Sequence, residues 1–298
     1  MRWAPVIPAM LACGPTFAHD GSTAAFDRPG WALAALLPIA ACHGIGWTRL
    51  WRRSAAGRRI LVARAALFAC GWLVTAFALA GPMARLDGRS FAAHMVEHGL
   101  LLLVAAPLFA MARPGPVFLW AFPSGMARVL SRPLRWRVSG AMARATDDPV
   151  AASLLFAIVL WSWHAPRSFD AALASPGWHV VQHASFLGVG ILFWRATIPP
   201  PRDRRTCGVA AFCQFATACH GALLGTLMLF ATRPWYDAYA RALPAADLSP
   251  LEDQQLAGLL MWVPGGIVHA CAALALVALW LGAGGRRDGE GRFDAARV

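Results

Sequence analysis

Nine histidines occur in this chain of 298 residues, and five of them are spaced for metal chemistry. His94 and His98 form one i, i+4 pair in FAAHMVEHGLLLL, His179 and His183 a second in GWHVVQHASFL, and His164 stands in LWSWHAP. Two imidazoles one helical turn apart share a helix face and can hold one ion between them. Neutral imidazole suits copper, zinc and iron. Glu97, inside the first pair, could orient a ring or serve as a ligand itself. Met95 and Met83 offer soft thioethers, which favour Cu(I), although Met95 is the neighbour of His94 and need not share its face. The chain has no HExxH and no CxxC, so the expected chemistry is metal binding, with no catalytic residue assigned.

Three further histidines lie deeper in their apolar segments, each with a cysteine nearby: His43 with Cys42, His220 with Cys219, His269 with Cys271. Such a group reads either as a relay of soft ligands leading inward or as interhelical hydrogen bonds and packing thiols. Cys207, Cys213 and Cys219 are six residues apart and do not share one helix face; most of the seven cysteines lie in apolar runs, and no structural disulfide is expected.

The elements that must position these side chains follow from composition. The chain is 58% hydrophobic and 14% charged. An ordinary soluble domain is about 45–50% apolar and about 25% charged. The contrast excludes a disordered chain and argues against a soluble enzyme. Apolar runs near the roughly 20 residues needed to cross a bilayer recur seven times, near 31–48, 60–82, 91–112, 149–166, 178–199, 207–232 and 254–282. Residues 1–18 read as a signal peptide: Arg2, an apolar stretch broken by Pro5, Pro8 and Pro15, and a small-residue end at Ala18. An uncleaved anchor gives the same later topology. The expected fold is all-α, a bundle of seven transmembrane helices (31–282), preceded by an outer segment 19–30 and followed by a cytoplasmic tail 283–298.

All 27 basic residues are arginine, and the formal net charge is +12. Eighteen arginines fall in segments 49–59, 113–148, 200–206 and the tail, and six fall in the alternate loops. The positive-inside rule places the eighteen in the cytoplasm, with the mature N-terminus outside a cell membrane and the C-terminus inside. That arrangement needs an odd number of spans, which seven satisfies. The basic charge is therefore topological, and nucleic-acid binding is not expected. The longest arginine-rich stretch, 113–148, mixes Arg with apolar residues as an interfacial helix on anionic lipid does. With this orientation the five histidines all fall within about 10 Å of the outer boundary at 1.5 Å rise per residue. Ionisable groups there are costly and mark function by default, although a single intramembrane histidine is as often an interhelical hydrogen-bonding group.

Pro107 inside the third run and Pro264-Gly265-Gly266 inside the seventh can kink a helix and free carbonyls. In the outer loop 233–253, Trp235, Tyr236 and Tyr239 read as interface anchors. Asp237, Asp247, Glu252 and Asp253 could attract a cation, but are expected to form a solvated face.

Three segments carry a family resemblance: HMVEHGLLLLVAAPLF; WHAPRSFDAAL followed by HVVQHASFLGVGILFW; and RPWYDAYA followed by PLEDQQLAGLLMWVPGG. Together they resemble the CtaG-type (caa3-type) cytochrome c oxidase assembly factors, over about residues 30 to 282. The resemblance implies a non-enzymatic seven-helix membrane protein that helps build a haem–copper oxidase, handling Cu(I) for its metal centre. It implies two classes of partner: the oxidase subunits and an extracytoplasmic copper donor. Carried over by position, its motif residues are His94, Glu97, His98, His164, His179 and His183, with His220 in TACHGALLG. Glu97 stands where the family often has Gln, and His269 where it more often has an aromatic residue, so His269 is not carried over. Two other classes remain open on the residues alone. One is a haem-binding membrane electron-transfer protein, for which two histidine layers could supply axial pairs. The other is a copper transporter using the deep His and Cys residues.

Overall fold

A bilayer offers no hydrogen-bonding partner to an exposed backbone, so an apolar run that crosses it must close its own ladder as a helix. In the computed structural model each of the seven apolar runs is helical. The structure describes residues 28–54, 56–86, 89–135, 147–198, 204–241 and 248–295. The signal-peptide assignment lies outside these residues, as does Asp247. In chain order the helices are α1 (Arg28–Arg53), α2 (Arg58–Ala80), α3 (Met83–Leu86), α4 (Phe91–Ala112), α5 (Gly115–Ala121), α6 (Ser124–Arg135), α7 (Pro149–His164), α8 (Pro166–Ala174), α9 (Pro176–Thr197), α10 (Arg204–Leu229), α11 (Asp237–Arg241) and α12 (Pro250–Ala295). No strand occurs among the described residues.

Five helices are long and apolar enough to cross a membrane: α1 from Ala32, α2, α4, α10 and α12 as far as Leu281. The pair α7 and α8 meets the same standard jointly but bends by 71° between them, which allows a sixth. The bend has a local cause. Proline disfavours the helical region for the residue before it, and Ala165, before Pro166, is extended at φ −65°, ψ 131°. Helix α9 has a span's length, 22 residues, but carries His179, Gln182, His183 and Arg195. Length and apolarity thus support five or six crossings, and a count of seven depends on the histidine-bearing helix itself.

Helix α4 is the centre of the bundle: 56% of its apolar window is buried, against 39% or less in the other four. It packs on α2, α9 and α12. Its ladder changes pitch between Leu100 and Ala105, where six residues form a π-helical segment. Pro107 explains the position. The Ala106 N–H reaches five residues back to the Leu101 carbonyl. The Leu102 carbonyl therefore loses its i+4 donor, and its i+5 residue is Pro107, which has no N–H. The indole Nε1 of Trp194, on α9, donates to that carbonyl at 2.9 Å. A backbone group freed inside the membrane is thus satisfied by a neighbouring helix, and α4 and α9 are tied together below the histidines.

Among the described residues α10 and α12 pack together most extensively. A Cβ built on Gly225 would stand 2.6 Å from the Gly258 carbonyl oxygen, and one on Gly258 would stand 2.5 Å from that of Gly225. Small residues let membrane helices approach to backbone contact, where dispersion and weak polar contacts replace the missing hydrophobic force. Gly258→Leu is therefore expected to separate the pair at a cost of about 3 kcal/mol, the upper end for overpacking. A lower melting temperature in detergent and less folded protein in the membrane would show it; wild-type stability would refute the packing argument.

In segment 113–148, α6 carries Arg128 beside the exposed Met126 and Val129. This is the composition of a helix lying in the interface rather than crossing it.

Candidate metal centre

The site begins with how α4 is started. Its first N–H groups have no partner within the helix. Ser90 supplies an N-cap, its Oγ accepting from the Ala93 N–H at 3.2 Å. The remaining donors are met from another helix. Asp253, in the first turn of α12, accepts from Ser90 Oγ at 2.9 Å, from the Phe91 N–H at 2.6 Å and from the Ala92 N–H at 3.3 Å. A carboxylate at a helix N-terminus also complements the helix dipole. Its neighbours fix the loop before α12. Gln254 Oε1 accepts from the Trp235 N–H at 2.6 Å, and Gln255 Nε2 donates to the Ala231 carbonyl at 3.2 Å. Glu252 accepts from the Ser249 hydroxyl at 2.7 Å and starts its own helix. The EDQQ stretch is positioning machinery.

Two expectations are corrected here. Asp253 is not part of a solvated acidic face, because it is consumed in capping α4. Tyr236 and Tyr239 are not interface anchors: they are 1% and 6% exposed. The loop folds over the bundle and forms an aromatic roof, with Tyr236 at 4.3 Å from Phe169 and 4.8 Å from Phe91 between ring centroids. The Tyr236 hydroxyl donates to the His164 carbonyl at 3.0 Å. Burial, with a smaller push from Asp170, holds that hydroxyl well above its ordinary pKa, so it stays a neutral donor.

Below the roof the five histidines of the outer layer converge from α4, α7 and α9. Ring centroids lie at 4.3 Å for His94–His98, 4.4 Å for His179–His183, 5.3 Å for His94–His179, 5.1 Å for His98–His183 and 6.2 Å for His98–His164. All five are buried, and so is Glu97, at 1% exposed. Glu97 Oε2 stands 3.5 Å from His183 Nε2. Two sets of residues could each hold an ion, His94–His98–His183 and His94–Glu97–His179, and in each the donor atoms lie within 4.8 Å of one another. His94 belongs to both.

The hydrogen bonds around the rings are what ligation requires. His164 Nδ1 is 2.7 Å from the Leu160 carbonyl, so Nδ1 carries the proton and the Nε2 lone pair is left without a hydrogen-bond partner. An imidazole that donates one N–H to a carbonyl is fixed in tautomer and orientation for a metal at the other nitrogen. Both ring nitrogens of His98 are buried with no hydrogen-bond partner among the described residues. Leaving such a group unsatisfied costs about 1–3 kcal/mol, so a histidine held there without a ligand is an expense to the fold.

The remaining predicted residues fall elsewhere. Met95 is buried in the apolar core and lines a cavity beside His98 and His164 instead of joining the ring cluster. His220 stands against Phe156, centroids 6.3 Å apart, and has no place in either ligand set. The deep layer is divided. His43 stacks on Phe68 at 3.7 Å and lies 5.7 Å from Phe118, in a separate aromatic cluster, whereas His269 shares Phe156 with His220. The cysteines described are free thiols. Sequence reasoning missed Gln182, which is fully buried between His179 and His183 with no side-chain hydrogen bond among the described residues. Its i+3 spacing from His179 was the available signal.

Among known families, the model for the cytochrome c oxidase caa3 assembly factor (Caa3_CtaG) matches residues 41–283, which spans every residue of the cluster. No curated protein and no solved structure matches the chain.

Proposed function

Because the chain belongs to the cytochrome c oxidase caa3 assembly factor family, we propose that it accepts Cu(I) at the histidine cluster and presents it to the metal centre of the oxidase. One observation carries the copper part of this reading: five buried imidazoles and one buried carboxylate converge from three helices, with ring nitrogens at His98 and His164 that no described residue hydrogen-bonds. The charge of this set favours a monovalent ion. Buried charge is expensive unless compensated, and one carboxylate neutralises Cu(I) but leaves a divalent ion with excess charge. Imidazole suits copper, and the absence of thiolates leaves the ion exchangeable.

The arginine distribution supports an orientation in which the cluster opens toward the outer face of the cell membrane. An extracytoplasmic donor protein would reach it there, and the oxidase subunits would receive the ion by ligand exchange, without covalent chemistry. The geometry gives the haem alternative less support: the five rings pack as one cluster, 4.3 to 6.2 Å between neighbouring centroids, rather than as separate axial pairs.

The test is anaerobic titration of the purified chain with Cu(I) against a competing chelator, with X-ray absorption to identify the ligands. Tight binding through nitrogen donors is the expected result. Failure to bind Cu(I), or a haem absorption band in the purified protein, would refute the reading. A milder variant checks the roof. Tyr236→Phe removes the hydrogen bond to the His164 carbonyl and should lower stability by about 1 kcal/mol. The same variant should weaken Cu(I) binding by less than about tenfold, the low end for a residue supporting a ligand.

A further inference from the structure

The cavity beside the cluster continues away from the outer face. Its lining joins Met95, His98 and His164 of the outer layer to His269 of the deeper one. Between them α10 and α12 contribute Thr217, Gly221, Gly265 and Gly266. Met261 lines the wall eight residues before His269, which at 1.5 Å per residue places the two about 12 Å apart along the axis of α12. The volume, about 60 Å³, exceeds the roughly 10–15 Å³ that one water-sized particle needs.

His269 is built as a ligand rather than as a packing residue. Its Nδ1 lies 2.7 Å from Gln214 Oε1. Gln214 Nε2 in turn donates to Thr197 Oγ1 at 2.9 Å, and Thr197 Oγ1 to the Phe193 carbonyl at 2.9 Å. This chain of donors assigns the proton to Nδ1 and leaves a lone pair at Nε2. The ring lies flat on Trp194, 5.5 Å between centroids and 9° between planes. Trp194 is the residue whose indole satisfies the Leu102 carbonyl released by the π-helical segment. His269 thus repeats the preparation of His164, one nitrogen donating to a fixed acceptor and the other left for a ligand, and it is 4% exposed.

We propose that this cavity is a second, inner site for a soft monovalent cation, reached from the cluster through His98 and His164 and closed by Nε2 of His269. The inference rests on the copper reading of the cluster. The transfer is a stepwise ligand exchange in which Cu–N bonds to His98 and His164 are replaced by Cu–S bonds to the thioethers of Met95 and Met261, one of which then gives way to His269 Nε2 while the other is kept. Copper stays Cu(I), and no proton or electron moves, because the donors are neutral imidazoles and thioethers throughout. Thioethers of Met95 and Met261 on the wall are soft donors of the same preference.

Stoichiometry tests it. The full-length protein in nanodiscs is titrated anaerobically with Cu(I) under chelator competition, alongside His269→Gln, Gly221→Leu and His98→Leu. A Cβ at Gly221 meets nothing within 4 Å, so leucine there fills the cavity and leaves every proposed ligand in place. The expected result is two equivalents for the wild type and one for both His269→Gln and Gly221→Leu, the remaining equivalent keeping wild-type affinity. If the wild type binds one equivalent that His98→Leu abolishes and the other two variants leave unchanged, the cluster stands and the inner site is overturned. Two equivalents in all of wild type, His269→Gln and Gly221→Leu overturn it as well. No copper on the wild type overturns both the cluster and the inner site.

Discussion

His98→Leu is expected to abolish tight Cu(I) binding and oxidase maturation while leaving the protein folded. The separation of the two effects is what makes the variant informative. His98 touches more of the cluster than a single pair would require: its ring lies within 6.2 Å of His94, His183 and His164. It also belongs to one of the two ligand sets. Removing even a supporting group around a metal typically costs 10- to 100-fold in affinity. Removing a ligand should cost at least about 100-fold by the same scale. Stability should respond differently. Neither ring nitrogen is hydrogen-bonded among the described residues, and the ring already packs on Phe186 at 4.5 Å. Replacing an unsatisfied buried polar group by an apolar one of similar size can be neutral or stabilising. The melting temperature of the metal-free variant in detergent should therefore equal or exceed that of the wild type. If His98 were instead a structural hydrogen-bonding residue, the variant would melt early and bind copper normally, and that pair of results would remove the cluster from the proposed function.

What the sequence made legible follows from how strongly the bilayer constrains it. An apolar run in hydrocarbon has only the helix available, so α1, α2, α4, α10 and α12 could be read from composition alone. The i, i+4 spacing of His94–His98 and His179–His183 fixed shared faces, and a common depth brought them together with His164. Depth was a poorer guide for the other histidines. His43 and His269 lie at similar depth, yet their helices face different neighbours, and position along a helix says nothing about azimuth around the bundle. Tyr236 and Tyr239 were misread because an amphipathic aromatic has the same local signature at a lipid interface and in a buried roof. Only the fold-back of the loop, held by Gln254 and Gln255, decides between them. Asp253 was misread for a similar reason. A carboxylate in a polar loop looks solvated until the helix it caps, 162 residues earlier in the chain at Phe91, is seen beside it.

Asp253→Ala is expected to weaken Cu(I) binding more than tenfold without touching a ligand. The carboxylate accepts from one hydroxyl and two backbone N–H groups at the start of α4, and it faces the positive end of that helix. Hydrogen bonds to charged groups are worth about 1.5–3 kcal/mol each, though the three are not additive. Losing all three at once should cost about 3 kcal/mol and fray the first turn of α4. His94 lies in the next turn, and its ring stands 5.3 Å from His179, so a loosened start moves the side chain shared by both candidate sets. Amide exchange at Phe91, Ala92 and Ala93 should accelerate together with the loss of affinity. Asp253→Asn keeps an acceptor oxygen and should fall between the wild type and the alanine variant. Glu252→Ala provides the contrast, since among the described residues Glu252 binds only Ser249 at the exposed start of its own helix, and the variant should leave copper affinity unchanged. Equal affinities for Asp253→Ala and Glu252→Ala would show that the cap does not position the cluster. Graded losses from alanine through asparagine to wild type would place control of the candidate metal centre in the EDQQ stretch.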